Sequence, residues 1–364
     1  MYLTDLVTLP RFCLGRNNYS RFPDLTRGTG RKFAVIGGDT ALMKGMPRLN
    51  AAISGSDMEL LGVFHFGGQC TIEAIKRMAE AIRPLGVDFI VGMGGGKAID
   101  TAKGAAQHLG LPLVSLPTLV SNCAPITALS VVYREDGTFD RFLFYEAPPA
   151  LTLIDLELGA DAPSRYFRAG MGDAMAKYPE ASFSAKADTL GEGHLDHMSA
   201  LGLAVSSTCW EPILKFGRQA LTEVEQHRAG TAMEMVARSI IVSAGLVSLM
   251  ADDCYNCAVA HSVCYGLQVL PGIEENCLHG DLVAYGMLVQ LMLDHQPEEA
   301  ARLRTFLQDI GTPVSLAEMH LPLDRETLWP AVMETVAGPD MEHIPYPVTP
   351  EMIWEAMTQT EALS

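Results

Sequence analysis

Charge is what this sequence has least of, and basic charge above all. Only 19% of the 364 residues are charged, and 26 basic residues face 43 acidic ones, a formal net charge of −17. A chain so poor in cations matches neither nucleic acid nor an anionic membrane, so no partner of either kind is expected. It has no run of eighteen apolar residues, so no transmembrane helix is expected. Its first residues lack a basic stretch followed by a long apolar one, which argues against a secretory signal and for a cytoplasmic location. Internal repeats and low-complexity linkers are also lacking. Hydrophobic residues, by contrast, make up 48%. That supplies a large core and argues against disorder. The length fits two domains or one large one.

The richest local signal is Val91-Gly-Met-Gly-Gly-Gly-Lys-Ala-Ile-Asp-Thr-Ala-Lys103. An apolar run over 88–92 reads as a buried strand, Gly94, Gly95 and Gly96 as a tight turn, and the spacing of Ala98, Ile99, Ala102 and Ala105 as a helix. Strand, glycine turn and helix bring free backbone N–H groups against a phosphate. The spacing is neither G-x-G-x-x-G nor the Walker pattern. A plain turn between strand and helix is the alternative.

Around this turn, strands are expected at 32–37, 59–64, 112–116 and 151–155, with helices at 40–54, 71–82 and 97–108. Such alternation implies an α/β domain with a parallel sheet. Segments 128–133 and 141–145 flank Asp136-Gly137 and read as a hairpin. Beyond about residue 160 helical patterns take over, at 164–186, 196–218, 229–253, 255–268, 281–294, 297–309 and 350–362. The expected division is 1–160, a Rossmann-like nucleotide-binding domain, and 161–364, an all-α domain, parted at Asp161-Ala-Pro163.

Several residues offer chemistry. Asp39 ends Val35-Ile-Gly-Gly-Asp39 and suits two tasks. It can accept hydrogen bonds from an adenine-ribose, which favours NAD over NADP, or it can cap the following helix. Asp173, His261 and His279 form a common three-ligand set for a catalytic divalent metal. Spacing alone does not join them, and a histidine on an apolar helix also serves as a core residue. The eight cysteines read as reduced thiols. Four of them, Cys254, Cys257, Cys264 and Cys277, crowd together in sequence. Three would have to converge from one helix to make a closed metal or iron–sulfur site, so small core residues are the better reading. Their softness points to oxidation sensitivity.

Taken in order, these motifs resemble a known family. Gly94-Gly-Gly-Lys-Ala-Ile-Asp-Thr-Ala-Lys103, Leu116-Pro-Thr118, Ala124-Pro-x-x-Ala-Leu-Ser-Val-x-Tyr133 and Ala169-Gly-Met-Gly-Asp173 come first. Ala260-His-Ser-Val-Cys-Tyr-Gly-Leu267, Leu278-His-Gly280, Val283-Ala-Tyr-Gly286 and Pro345-Tyr-Pro-Val-Thr-Pro350 follow. The whole resembles the glycerol dehydrogenase branch of the iron-containing alcohol dehydrogenase superfamily. The resemblance implies the dehydroquinate synthase-like fold, NAD, self-association into a homo-oligomer, and one divalent metal, zinc first, with iron or manganese as alternatives. It places the metal on Asp173, His261 and His279, and the cofactor against Asp39, Gly94, Gly95, Gly96, Lys97, Asp100, Thr118, Ser121, Thr127, Leu129 and Tyr133. It implies oxidation of a small polyol or related alcohol, in which the metal acidifies the substrate hydroxyl and the carbon-bound hydrogen leaves as hydride to the nicotinamide.

Two departures stand out. Glycerol dehydrogenases carry Ser-Thr-Asp-Ala-Pro, whose Asp contacts the polyol; here Ser121-Asn-Cys-Ala-Pro125 puts Cys123 in its place. A thiol is a weak donor and poor acceptor, and its neutrality tolerates an anion. Members acting on hydroxycarboxylates carry a similar Thr-Cys-Ala segment, so a 2-hydroxy acid or 2-oxo acid competes with a polyol as substrate, with Cys123 and His261 as contacts. Cys264 in turn replaces the second His of Ala-His-x-x-His. A dehydroquinate synthase-like lyase and an inactive NAD binder are the other readings of the same fold.

Overall fold

The computed structural model describes residues 7–190 and 195–363. It separates into two compact units, one of residues 1–164 with 222–249, the other of 165–221 with 250–364. The sequence suggests a single cut near residue 160. The difference lies in 222–249, a helical stretch that packs with the first unit, a long-range association with no local signature.

The first unit is built on a six-stranded parallel sheet in the order β1-β8-β5-β4-β2-β3. These are Phe12–Gly15 (β1), Lys32–Gly37 (β2), Glu59–His65 (β3), Phe89–Gly94 (β4), Leu113–Pro117 (β5) and Leu151–Asp155 (β8). Central strands are apolar on both sides because both faces are covered. Phe33 and Val35 of β2 join one core with Phe89, Val91 and Phe22, whereas Ala34 and Ile36 join the other with Ile90 and Ala102. Leu129–Tyr133 (β6) and Phe139–Phe144 (β7) form the expected antiparallel hairpin. The edge strand β1, paired in parallel with β8, was not apparent from sequence.

The connections explain where a ligand belongs. From β2 the chain passes through helix α1 (Asp39–Ile53) to β3 on one side, then through α2 (Ile72–Ile82) to β4 on the other. The carboxyl ends of β2 and β4 therefore lie at a topological switch point, the usual ligand position in open α/β sheets. Helix α3 (Gly96–Leu109) starts there.

Residues 231–250, all but the last of them in this unit, form one continuous helix with a π-helical stretch at Arg238–Ser243. Its length and mean hydropathy of 1.5 alone would suit a membrane, but 56% of that window is buried. Gly245 sits against Ile126 so closely that a Cβ would come within 2.3 Å of the isoleucine side chain. A helix packed in this way is a core helix.

The second unit is helical. Four of its elements carry the argument below: α4 (Ser164–Leu190), α5 (Val259–Gln268), α6 (His279–Leu293) and α7 (Arg325–Ala337).

Candidate functional site

Within the helical unit three candidate ligands meet because backbones touch. A Cβ on Gly172 would lie 2.3 Å from the carbonyl oxygen of Gly280, and one on Gly280 would lie 1.9 Å from that of Ala169. Helices α4 and α6 therefore cross at glycine, nearer than any side chain permits. Asp173 follows Gly172 and His279 precedes Gly280, so the crossing sets these two side by side. Similarly, a Cβ on Gly286 would lie 2.2 Å from the Ala260 carbonyl oxygen. This close approach of α5 and α6 brings in His261, the next residue.

The resulting geometry is compact. Oδ1 of Asp173 lies 3.5 Å from Nε2 of His261 and 3.6 Å from Nε2 of His279. One ligand atom from each residue falls within 4.8 Å of the others. Asp173 and His261 are largely buried, whereas 44% of the His279 side chain is exposed. His279 is further fixed through Asp281, whose carboxylate accepts the Leu278 N–H at 3.1 Å and pairs with both Nε and Nη2 of Arg168 on α4.

The charges follow. Burial alone would raise the Asp173 carboxyl, but the two imidazoles outweigh it and hold the group below the usual carboxylate range. Burial alone would lower both histidines. Instead Cys264 and Asp173 push His279 up to about 10, and Cys257, Glu180 and Asp173 raise His261.

Glu180 was not singled out in the sequence. It lies seven residues after Asp173, two turns along α4 on the same face, and its Oε2 is 2.6 Å from Nδ1 of His261. That i,i+7 spacing was the available signal. Cys264 of α5 places its Sγ 3.4 Å from Nδ1 of His279.

In the α/β unit the three glycines divide the work of the turn. Gly94 ends β4 with φ +152°, a conformation that side chains rarely adopt, and a Cβ there would press on Ala98. Gly95 caps α3 and Gly96 is its first residue. The first amides of this helix have no acceptor within it, which is the arrangement an anion needs. Thr118 is tied to the turn by its N–H to the Gly94 carbonyl, 3.0 Å. Lys97 stands 4.8 Å over the ring of Tyr133.

Asp39 does not cap α1, since Gly38 occupies that position. Its exposed carboxylate pairs instead with Nδ1 of His65 at the end of β3, a partner not foreseen from sequence. Asp100 and Thr127, expected to contact a cofactor directly, turn inward. Asp100 is buried, 2.8 Å from Lys103 Nζ, and accepts the Val131 N–H at 3.1 Å. Burial pushes its carboxyl up against the pull of Lys103. The same ammonium reaches the Thr127 hydroxyl and the Leu129 carbonyl, so it buckles α3 to the hairpin. Ser121 is half-buried on the following loop. Cys123, also half-buried, opens the 3-10 turn Ala124–Ile126, with its Cβ 3.6 Å from where a Cβ on Gly245 would stand.

Known proteins share this architecture. The crystal structure of glycerol dehydrogenase from Schizosaccharomyces pombe superposes with a TM-score of 0.88 at 25% identity, over 99% of this chain and 91% of that one. The iron-containing alcohol dehydrogenase family matches over residues 10–156. A glycerol dehydrogenase from Thermotoga maritima is 35% identical over 80% of this chain and 79% of its own. Hydroxycarboxylate dehydrogenase A from Escherichia coli is 31% identical over 82% and 81%. The protein belongs to the iron-containing alcohol dehydrogenase family, in its glycerol dehydrogenase branch. It is a metal-dependent oxidoreductase acting on CH–OH groups.

Proposed function

We propose that this protein is an NAD-dependent dehydrogenase that oxidises a small polyol or related alcohol, with one divalent metal held by Asp173, His261 and His279. The observation that carries the proposal is the convergence of those three ligand atoms within 4.8 Å. One anionic oxygen and two imidazole nitrogens suit zinc, the first choice, and accept iron or manganese as alternatives; three protein ligands leave a position open for substrate. Bound there, the metal supplies Lewis acidity toward a hydroxyl, as NAD supplies the hydride acceptor.

The chain's own residues do the rest. Gly94, Gly95, Gly96 and Lys97 offer the cofactor diphosphate backbone amides and a cation. Asp39 receives the ribose hydroxyls and rejects a 2′-phosphate. Thr118, Ser121, Leu129 and Tyr133 line the same site, while Asp100 and Thr127, through Lys103, hold its wall from behind. We place the enzyme in the cytoplasm, and its likeness to the family supports a homo-oligomer.

One observation favours a second substrate class. Cys123 leaves the site without the carboxylate that would grip a polyol, which suits a 2-hydroxy acid, and the similar protein from Escherichia coli is a hydroxycarboxylate dehydrogenase. The test is NADH absorbance with a panel of diols and hydroxy acids on enzyme loaded with zinc, iron or manganese. Net NADH with one class supports the dehydrogenase and names its substrate. Product formation without net NADH would mark a lyase, and bound NAD without turnover an inactive binder. His279→Ala should lose both metal and activity; near wild-type turnover without bound metal would overturn the metal assignment.

A further inference from the structure

Three ligands do not settle which nitrogen of an imidazole faces a metal. For His261 the answer lies on the far side of the ring. Nε2 points toward Asp173, and Nδ1 lies 2.6 Å from Oε2 of Glu180. Glu180 is wholly buried. Its other oxygen, Oε1, accepts the backbone N–H groups of Ala258 and of His261 itself, both at 2.8 Å. These amides open α5, where a helix has no acceptors of its own. One carboxylate thus caps the helix that carries the ligand and grips the ligand's ring.

The same atoms do not form a second metal site. Glu180, Cys257 and His261 lie close enough for one. However, Oε1 of Glu180 is committed to two N–H groups, and the Lys177 ammonium sits 4.0 Å from the Cys257 sulfur, donating to the Asn256 carbonyl at 2.8 Å. A resident cation here opposes another, and a metal on Nδ1 would displace the Glu180 hydrogen bond.

We propose that Glu180 is a positioning residue that keeps the proton of His261 on Nδ1 and so presents the Nε2 lone pair to the metal. This rests on the metal reading given above. A carboxylate can only accept, so the nitrogen facing it must donate. Outer partners of this kind orient metal-bound histidines and raise their basicity.

The test is Glu180→Gln. Glutamine keeps the shape, and its oxygen can still cap α5. Its NH2 group then stands where Oε2 stood and can only donate. The ring of His261 must answer with an unprotonated Nδ1, which moves the proton to Nε2. Zinc affinity, measured by competition with a chromophoric chelator, should weaken about 10- to 100-fold. The melting temperature of the metal-free protein should move by less than about 4 °C. A merely structural role would reverse that pattern. Zinc affinity in E180Q within threefold of wild type would overturn the proposal while leaving the metal site intact. A wild-type protein that takes up no zinc would overturn both.

The wild-type protein supplies a readout that does not depend on the variant folding. A histidine-selective nitrogen-15 spectrum of the zinc-loaded protein, with His261 assigned by its absence from His261→Asn, should show a protonated Nδ1 and an unprotonated Nε2. The opposite pattern would overturn the proposal.

Discussion

The sulfur of Cys264 lies 3.4 Å from Nδ1 of His279, on the side of the ring away from Asp173. A sulfur partner is a weak one, so His279 is less firmly held than His261, whose Nδ1 faces a carboxylate. Replacing Cys264 with Ala should lower zinc affinity several-fold, toward the lower end of the roughly 10- to 100-fold range for outer-partner loss. It should also blunt inactivation by hydrogen peroxide, because the sulfur against His279 is gone while Cys257, beside His261, remains. Chelator competition and timed peroxide exposure of both proteins check this; equal peroxide sensitivity would clear Cys264 of any redox role.

The helix crossing at Gly280 makes a sharper prediction. A methyl group there meets the Ala169 carbonyl oxygen at 1.9 Å, with backbone on both sides and no side chain to yield. Gly280→Ala should destabilise the protein by about 3 kcal/mol and weaken metal binding, because Asp173 and His279 are forced apart. Denaturant unfolding of the metal-free form measures the first effect. Unchanged stability would mean that the helices do not meet this closely.

Metal uptake should release protons. In the metal-free site His279 is raised to about 10 and His261 is also raised. Both rings therefore carry a charge at neutral pH that a cation must displace. Zinc affinity should climb with pH from neutrality toward about 10, and calorimetry in buffers of different ionisation enthalpy should show up to two protons leaving. The stability of the metal-free protein should run the other way. The charged rings contribute fully below the ordinary histidine pKa of about 6.5, and that contribution fades as pH rises toward about 10. Zinc binding without proton release would contradict the charged state of the site.

Asp39 should govern the choice of cofactor. Its exposed carboxylate, beside His65, would repel a 2′-phosphate. Asp39→Gly should raise kcat/KM for NADP relative to NAD by about tenfold, the factor corresponding to roughly 1.4 kcal/mol. An unchanged ratio would assign Asp39 to the His65 pair alone.

Much of this was legible in the sequence, for reasons that can be named. Short apolar runs and glycine punctuation marked β2, β3, β4, β5 and β8, because a doubly covered sheet writes itself as continuous apolar runs. Other elements left weaker marks. Strand β1 has four residues and exists through its pairing with β8. Helix α7 has little apolar periodicity and contains Pro330, so it was not expected at all. The three candidate ligands were named by motif, yet their convergence depends on Gly172, Gly280 and Gly286, whose meaning emerges only when helices cross. Glu180 was missed because its partners lie about eighty residues away, at Ala258 and His261. The resemblance sets Asp100 and Thr127 against a cofactor, whereas their side chains are buried, because sequence does not say which way a side chain turns.

The crossings at Gly172, Gly280 and Gly286 have a kinetic consequence. Each candidate ligand is anchored next to a point where two main chains touch, so no ligand's main chain can shift while its neighbours stay in place. A metal held there should leave through an opening of the helical unit rather than by stepwise release. The lifetime of the loaded enzyme would then be set by the rate at which those helices part, and whatever slows their parting would also retain the metal.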